Sequence, residues 1–114
     1  MGMLVQWTVQ YRGSDPANCR RKVARALEVQ GRDERYRTWV NHTYLVEFFS
    51  ELQADEWGAA RAELLDSMAT LCPWWEIWLG VDALSASSSR VKIKGVESVS
   101  CNLNKDQQFR SAIG

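Results

Sequence analysis

The chain has 114 residues, 46% of them hydrophobic, which is enough for one domain with a genuine core and too few for two. Its 14 basic residues balance 14 acidic ones, which argues against a general polyanion binder. Three cysteines, Cys19, Cys72 and Cys101, are odd in number and form no C-x-x-C pair, so neither a disulfide framework nor a zinc site is indicated.

No segment before Gln6 is long and apolar enough for a signal peptide, and no later run approaches the ~18 apolar residues of a membrane span; a soluble, cytoplasmic protein is expected. Charge is unevenly distributed. Residues 1–37 hold eight Arg and Lys against four Asp and Glu, and residues 38–84 hold Arg61 against eight carboxylates. Residues 85–114 turn basic again, five against two. Such alternation points to internal or intersubunit complementarity.

Met3, Val5, Trp7, Val9 and Tyr11 alternate with Leu4, Gln6, Thr8 and Gln10, which predicts a first strand with one apolar face. Gly13-Ser14-Asp15-Pro16 then supplies a turn, an Asp N-cap and a proline at the first helical position. The predicted helix runs to about Gln30. It buries Cys19, Val23, Ala26 and Leu27, exposes Arg20, Arg21, Lys22 and Arg25, and stops at Gly31.

Residues 36–49 are rich in aromatic and β-branched types, and Asn41-His42 divides them as a hairpin turn. Tyr44, Val46 and Phe48 share one face, Leu45, Glu47 and Phe49 the other. Ser50 followed by Gln53 resembles a capping box for a second helix that buries Trp57, Ala60, Leu64, Met68 and Leu71. Its outer face carries Asp55, Glu56, Glu63 and Asp66, and Pro73 ends it.

The segment Pro73-Trp74-Trp75-Glu76-Ile77-Trp78-Leu79 follows as an aromatic strand. Trp75, Ile77 and Leu79 form its core face. Trp74, Glu76 and Trp78 form the other, and two tryptophans facing water call for a ligand, a partner subunit or cover from the chain itself. After Gly80 a serine-rich break leads to alternation at Val91-Lys92-Ile93-Lys94 and at Val99, Cys101 and Leu103, which predicts a C-terminal hairpin.

The order strand, helix, hairpin, helix, strand matches a ferredoxin-like split βαβ sandwich of the α+β class, with the domain over residues 1–84 and an extension over 85–114 packing on the sheet or on a partner subunit. In that arrangement both helices cover one sheet face, and the first strand lies between the third and the aromatic strand. The topology resembles the dimeric α+β barrel proteins, in which two open sheet faces pack together and enclose a cavity; the resemblance implies a homodimer.

On the open face this arrangement sets Gln6, Thr8 and Gln10 beside Trp74, Glu76 and Trp78, with Glu47 on the far side. Aromatic walls, two carboxylates and neutral hydrogen-bonding groups suit a cationic or amphipathic small molecule, since a cation over an indole gains roughly 0.5–2 kcal/mol. Trp74 and Trp78 would lie ~13 Å apart along the strand, and Glu47 and Glu76 ~9.6 Å apart across it, too far to share a proton.

The reading favours ligand binding without a cofactor over catalysis. The alternatives are a structural or regulatory homodimer module, a cofactor-independent enzyme in which Glu47 or Glu76 handles a proton, and a nucleic-acid binder using Arg12, Arg20, Arg21, Lys22, Arg25, Arg32, Arg35 and Arg37. The last has no recognised motif beside it. Their neutral reading is a solvated helix face paired with the acidic helix. His42, the single histidine, has no Cys, Asp or Glu at ligand spacing, and the glycines are scattered, without a phosphate loop.

Overall fold

The computed structural model describes residues 2–38 and 43–106, so the Asn41-His42 turn and residues 107–114 lie outside the described residues. Two helices and six strands follow in the order β1 (Leu4–Arg12), α1 (Pro16–Ala26), β2 (Arg32–Thr38), β3 (Thr43–Glu51), α2 (Trp57–Leu71), β4 (Glu76–Leu79), β5 (Ala83–Ser88) and β6 (Val96–Asn104). The fold is α+β, a six-stranded sheet ordered β2-β3-β1-β6-β5-β4 in which each neighbouring pair is antiparallel.

One sheet face is the core. Val5, Trp7 and Val9 of β1 lie beside Val46 and Phe48 of β3 and Val99, Cys101 and Leu103 of β6, all buried; Leu84 and Ala86 of β5 continue the layer. Trp7 is wholly buried and stacks on Phe48 with ring centres 6.4 Å apart. Its indole N–H needs a partner in that environment, and Ser50 Oγ accepts it at 2.8 Å. Ser50 therefore belongs to β3 and not to a capping box.

The start of α1 follows its sequence signal: Asp15 Oδ1 accepts from Asn18 N–H at 3.0 Å, and Pro16 occupies the first turn. The helix is shorter than expected and ends at Ala26. Val29 N–H reaches back to Ala24 O and Glu28 N–H to Arg25 O, both at 3.0 Å, a Schellman closure with Glu28 in the left-handed region at φ 58°. Cys19, Val23 and Ala24 are its buried residues, with the C-cap Leu27 buried beside them, so Ala24 stands where Ala26 was expected.

Helix α2 buries Ala60, Leu64 and Met68 as the spacing predicts, but it begins at Trp57. Its cap is Glu56, whose carboxylate accepts from Gly58 N–H at 2.9 Å and Ala59 N–H at 3.0 Å; these bonds favour the charged form and lower its pKa. Glu63 accepts from the backbone N–H groups of Gln53 and Ala54. The acidic face of α2 thus serves the preceding loop, and the α1 residue Arg20 pairs instead with Glu34 of β2 at 2.8 Å.

The aromatic strand is the main departure. The position beside β1 belongs to β6, and β4 lies at the outer edge with β5 and β6 between it and β1. The expected hairpin of Val91–Lys94 with Val99–Leu103, lying over a sheet face or on a partner, does not form: residues 91–94 are not a strand, and the serine-bearing segment before them becomes β5, which with β6 is inserted edge to edge into the sheet. No helix among the described residues is long and apolar enough to cross a membrane.

Candidate functional site

The centre of the sheet face opposite the core is paved with uncharged polar side chains. Gln6, Thr8 and Gln10 of β1 are half-buried, and beside them stand Asn102, Ser100 and Ser98 of β6; Ser85 and Ser87 of β5 complete the pavement. One transverse row reads Arg35, Glu47, Thr8, Ser100, Ser87 and Glu76 across all six strands. Three residues singled out from the sequence, Thr8, Glu47 and Glu76, therefore share a row.

They do not share a pocket. Glu47 on β3 and Glu76 on β4 are four strand spacings apart, ~19 Å, twice the expected separation. Thr8, with Gln6 and Gln10 on either side, lies three spacings from β4, ~14 Å. Glu47 is also engaged, because Arg37 of β2 donates to its carboxylate. The pocket expected around β1 and the aromatic strand is corrected by this strand order.

A cleft of about 420 Å³ forms instead where β4, β5 and β6 meet, lined by Trp74, Trp75, Glu76, Ser87, Ser88, Ser89, Arg90, Ser98 and Ser100. Trp74 and Glu76 belong to it; Trp78, 72% exposed, does not. The Arg90 guanidinium lies 4.7 Å from the centre of the Trp74 ring, so the cation expected from a ligand is supplied by the chain. Among the described residues neither Glu76 nor Arg90 forms an ion pair.

Local chemistry fixes these walls. Helix α2 ends with carbonyls that need donors, and the Trp75 indole N–H bridges two of them, Met68 O at 2.9 Å and Cys72 O at 2.8 Å. That bridge clamps the start of the aromatic strand to the helix end. Cys72 Sγ then donates to Trp74 O at 3.4 Å and lies 3.2 Å from Ser88 Oγ, which accepts from Arg90 N–H at 3.2 Å. A single chain of polar contacts thus joins the Trp74 wall to the Arg90 wall.

The floor is lightly committed. Ser98 Oγ reaches Gln10 Oε1 at 3.5 Å and Ser100 Oγ reaches Thr8 O at 3.4 Å, long bonds that a ligand acceptor would readily displace. A second cleft, about 640 Å³, is bounded by Gly2, Gln30, Arg32, Glu51, Leu52 and Gln53. It is larger but lacks an aromatic wall, and Glu51 already accepts from Gly2 N–H.

Two charged groups escaped the sequence reading. Arg90 followed a serine run that reads as a loop. Glu97 is the extra residue of a bulge in β6 opposite Gln10 and Tyr11, which lets its carboxylate take Gln10 Nε2–H at 2.9 Å and Arg12 Nε–H at 2.8 Å. The three-residue spacing between Val96 and Val99 was its only signal.

Of the basic residues considered for nucleic acid, Arg12, Arg20 and Arg37 are held in ion pairs, and the others are distributed over α1 and β2. Burial pushes the Cys101 thiol up to about 12 and the Cys19 thiol to about 11, so both remain protonated and poor nucleophiles at neutral pH. Among the described residues no three His, Cys, Asp or Glu side chains are grouped to hold a metal ion. A scan against protein-family models and searches of curated proteins and of solved structures returned no match.

Proposed function

We propose that the protein binds a small amphipathic molecule in the cleft between Trp74 and Arg90, with a cationic or hydrogen-bond-donating group of the ligand at Glu76. The convergence of an indole with a carboxylate and a guanidinium that form no ion pair among the described residues, over serine hydroxyls, carries this reading. Because Arg90 supplies a positive charge of its own, the best ligand also offers an acceptor, such as a carboxylate, at the Arg90 end. Trp74 lends apolar surface to the ligand body, and Ser87, Ser98 and Ser100 orient it. On the same reading, β1, α1, β2, β3, α2 and β6 retain a ferredoxin-like split βαβ core, with β4 and β5 as an insertion that creates the cleft.

Tryptophan emission tests this with benzylammonium, benzyl alcohol, benzoate and the zwitterion 4-(aminomethyl)benzoate. The zwitterion is expected to bind most tightly. Glu76→Gln and Arg90→Gln should each weaken it about two- to fivefold, the upper range for solvent-exposed charge pairs. Equal affinity of both variants for all four compounds would remove the charge-selective cleft from consideration.

A further inference from the structure

The two edges of the sheet are built differently. On one side β2 reads Arg32-Asp33-Glu34-Arg35-Tyr36-Arg37-Thr38, with five charged residues in seven, the usual protection against unwanted strand pairing. On the other, β4 reads Glu76-Ile77-Trp78-Leu79 and has neither lysine, proline nor bulge. Ile77 is 42% exposed, Leu79 61% and Trp78 72%, so apolar side chains stand in water on both faces of this edge.

The backbone is as available as the side chains. Gly80 N–H turns inward to Ala83 O at 2.8 Å, in register with the β4–β5 pairing. Alternate residues of a strand turn their N–H and C=O to the same side, so Glu76 and Trp78 bond inward to β5 while Ile77 and Leu79 present theirs outward. Among the described residues nothing pairs with those outward groups.

We infer that β4 pairs antiparallel with β4 of a second copy, joining two six-stranded sheets into one of about twelve strands. The edge is self-complementary. Directly opposed residues share a face, so a two-fold register must pass through a residue and not between two. Centred on Trp78, it opposes Ile77 to Leu79 of the second copy, both with outward backbone groups, and forms four hydrogen bonds. The Trp78 residues then face each other at a non-hydrogen-bonded site, with Cα atoms ~4.5 Å apart.

That register also sets each Glu76 opposite a glycine, with the two residues ~14 Å apart, whereas centring on Ile77 brings them to ~8 Å and presses each against Trp78. Trp78, Leu79, Ile77 and Val81 expose on the order of 500 Å² per copy, of which edge pairing covers a part, so the contact lies below the ~800 Å² per partner of a standard interface and draws on the backbone bonds as well. Pairing of β4 with β2 of another copy would meet five charges, so the contact closes as a dimer and does not propagate. Ile77 and Leu79 do not line the cleft, so this inference stands apart from the ligand reading.

Sedimentation of the whole chain should give about 26 kDa, twice 13.0 kDa. Leu79→Lys should lower this to the monomer mass while leaving the far-ultraviolet circular dichroism unchanged. Under mild oxidation Trp78→Cys should form a disulfide-linked dimer and Arg35→Cys, on the charged edge, should not; the native cysteines are buried and do not compete. A wild-type monomer, a Leu79→Lys variant that remains dimeric, or equal cross-linking at positions 35 and 78 overturns the inference.

Discussion

Trp74 and Trp75 are chain neighbours with opposite structural duties, and replacing each by phenylalanine separates them. Trp75→Phe keeps an aromatic ring but removes the N–H shared by Met68 O and Cys72 O. Met68 O retains the Cys72 N–H at 3.1 Å, so the main loss falls on Cys72 O. One net hydrogen bond is worth about 0.5–1.5 kcal/mol. Contracting a half-buried indole to a phenyl ring adds roughly 1 kcal/mol of lost burial. Urea unfolding followed by circular dichroism should therefore show a loss of about 1.5–2.5 kcal/mol, and Tm should fall by roughly 5–15 °C. Trp74→Phe, at a position 58% exposed whose cation contact phenylalanine preserves, should cost less than ~0.5 kcal/mol. Equal losses for the two variants would refute the clamp between the aromatic strand and the end of α2.

Three further outcomes follow from the same structure. Glu28→Gly should stabilise the protein by about 0.5–1 kcal/mol in thermal melts, because glutamate is strained at φ 58° and glycine is not. Ser50→Ala should cost about 1–3 kcal/mol in urea, since the buried Trp7 N–H loses its acceptor; Trp7→Phe combined with Ser50→Ala should cost less than the two single changes added. The raised thiol pKa values add a contribution to stability that is constant below about pH 8.5 and falls above it: unfolded thiols ionise first, so the native state binds more protons, and the slope reaches about −1.4 kcal/mol per pH unit for each thiol up to its folded value. Cys101→Ala should remove one such contribution, and an unchanged alkaline slope would contradict the buried-thiol account.

Much of the fold was legible where the governing chemistry is local. The alternation of β1 works because one face is buried along the whole strand, and Asp15-Pro16 marks a helix start through bonds within one turn. Strand order is decided by pairings between distant segments, so the residues of β4 reveal that they form a strand but not that β5 and β6 separate it from β1. The serine-rich stretch misled for another reason. Ser85 and Ser87 are poor strand formers by themselves, yet Leu84, Ala86 and Ser88 alternate into the core, and packing overrides the propensity. In the cleft, Trp74 and Glu76 were legible from composition, whereas Arg90 depends on a turn that only the β5–β6 hairpin creates.

Nuclear magnetic resonance titration with 4-(aminomethyl)benzoate tests the central claim, a ligand cleft between Trp74 and Arg90, most directly. Saturable shifts are expected at the Trp74 and Trp75 indole N–H groups and at the amides of Ser87, Ser98 and Ser100, while the buried Trp7 indole stays unmoved. Absence of saturation, or shifts confined to the cleft bounded by Gln30, Arg32 and Gln53, would contradict it.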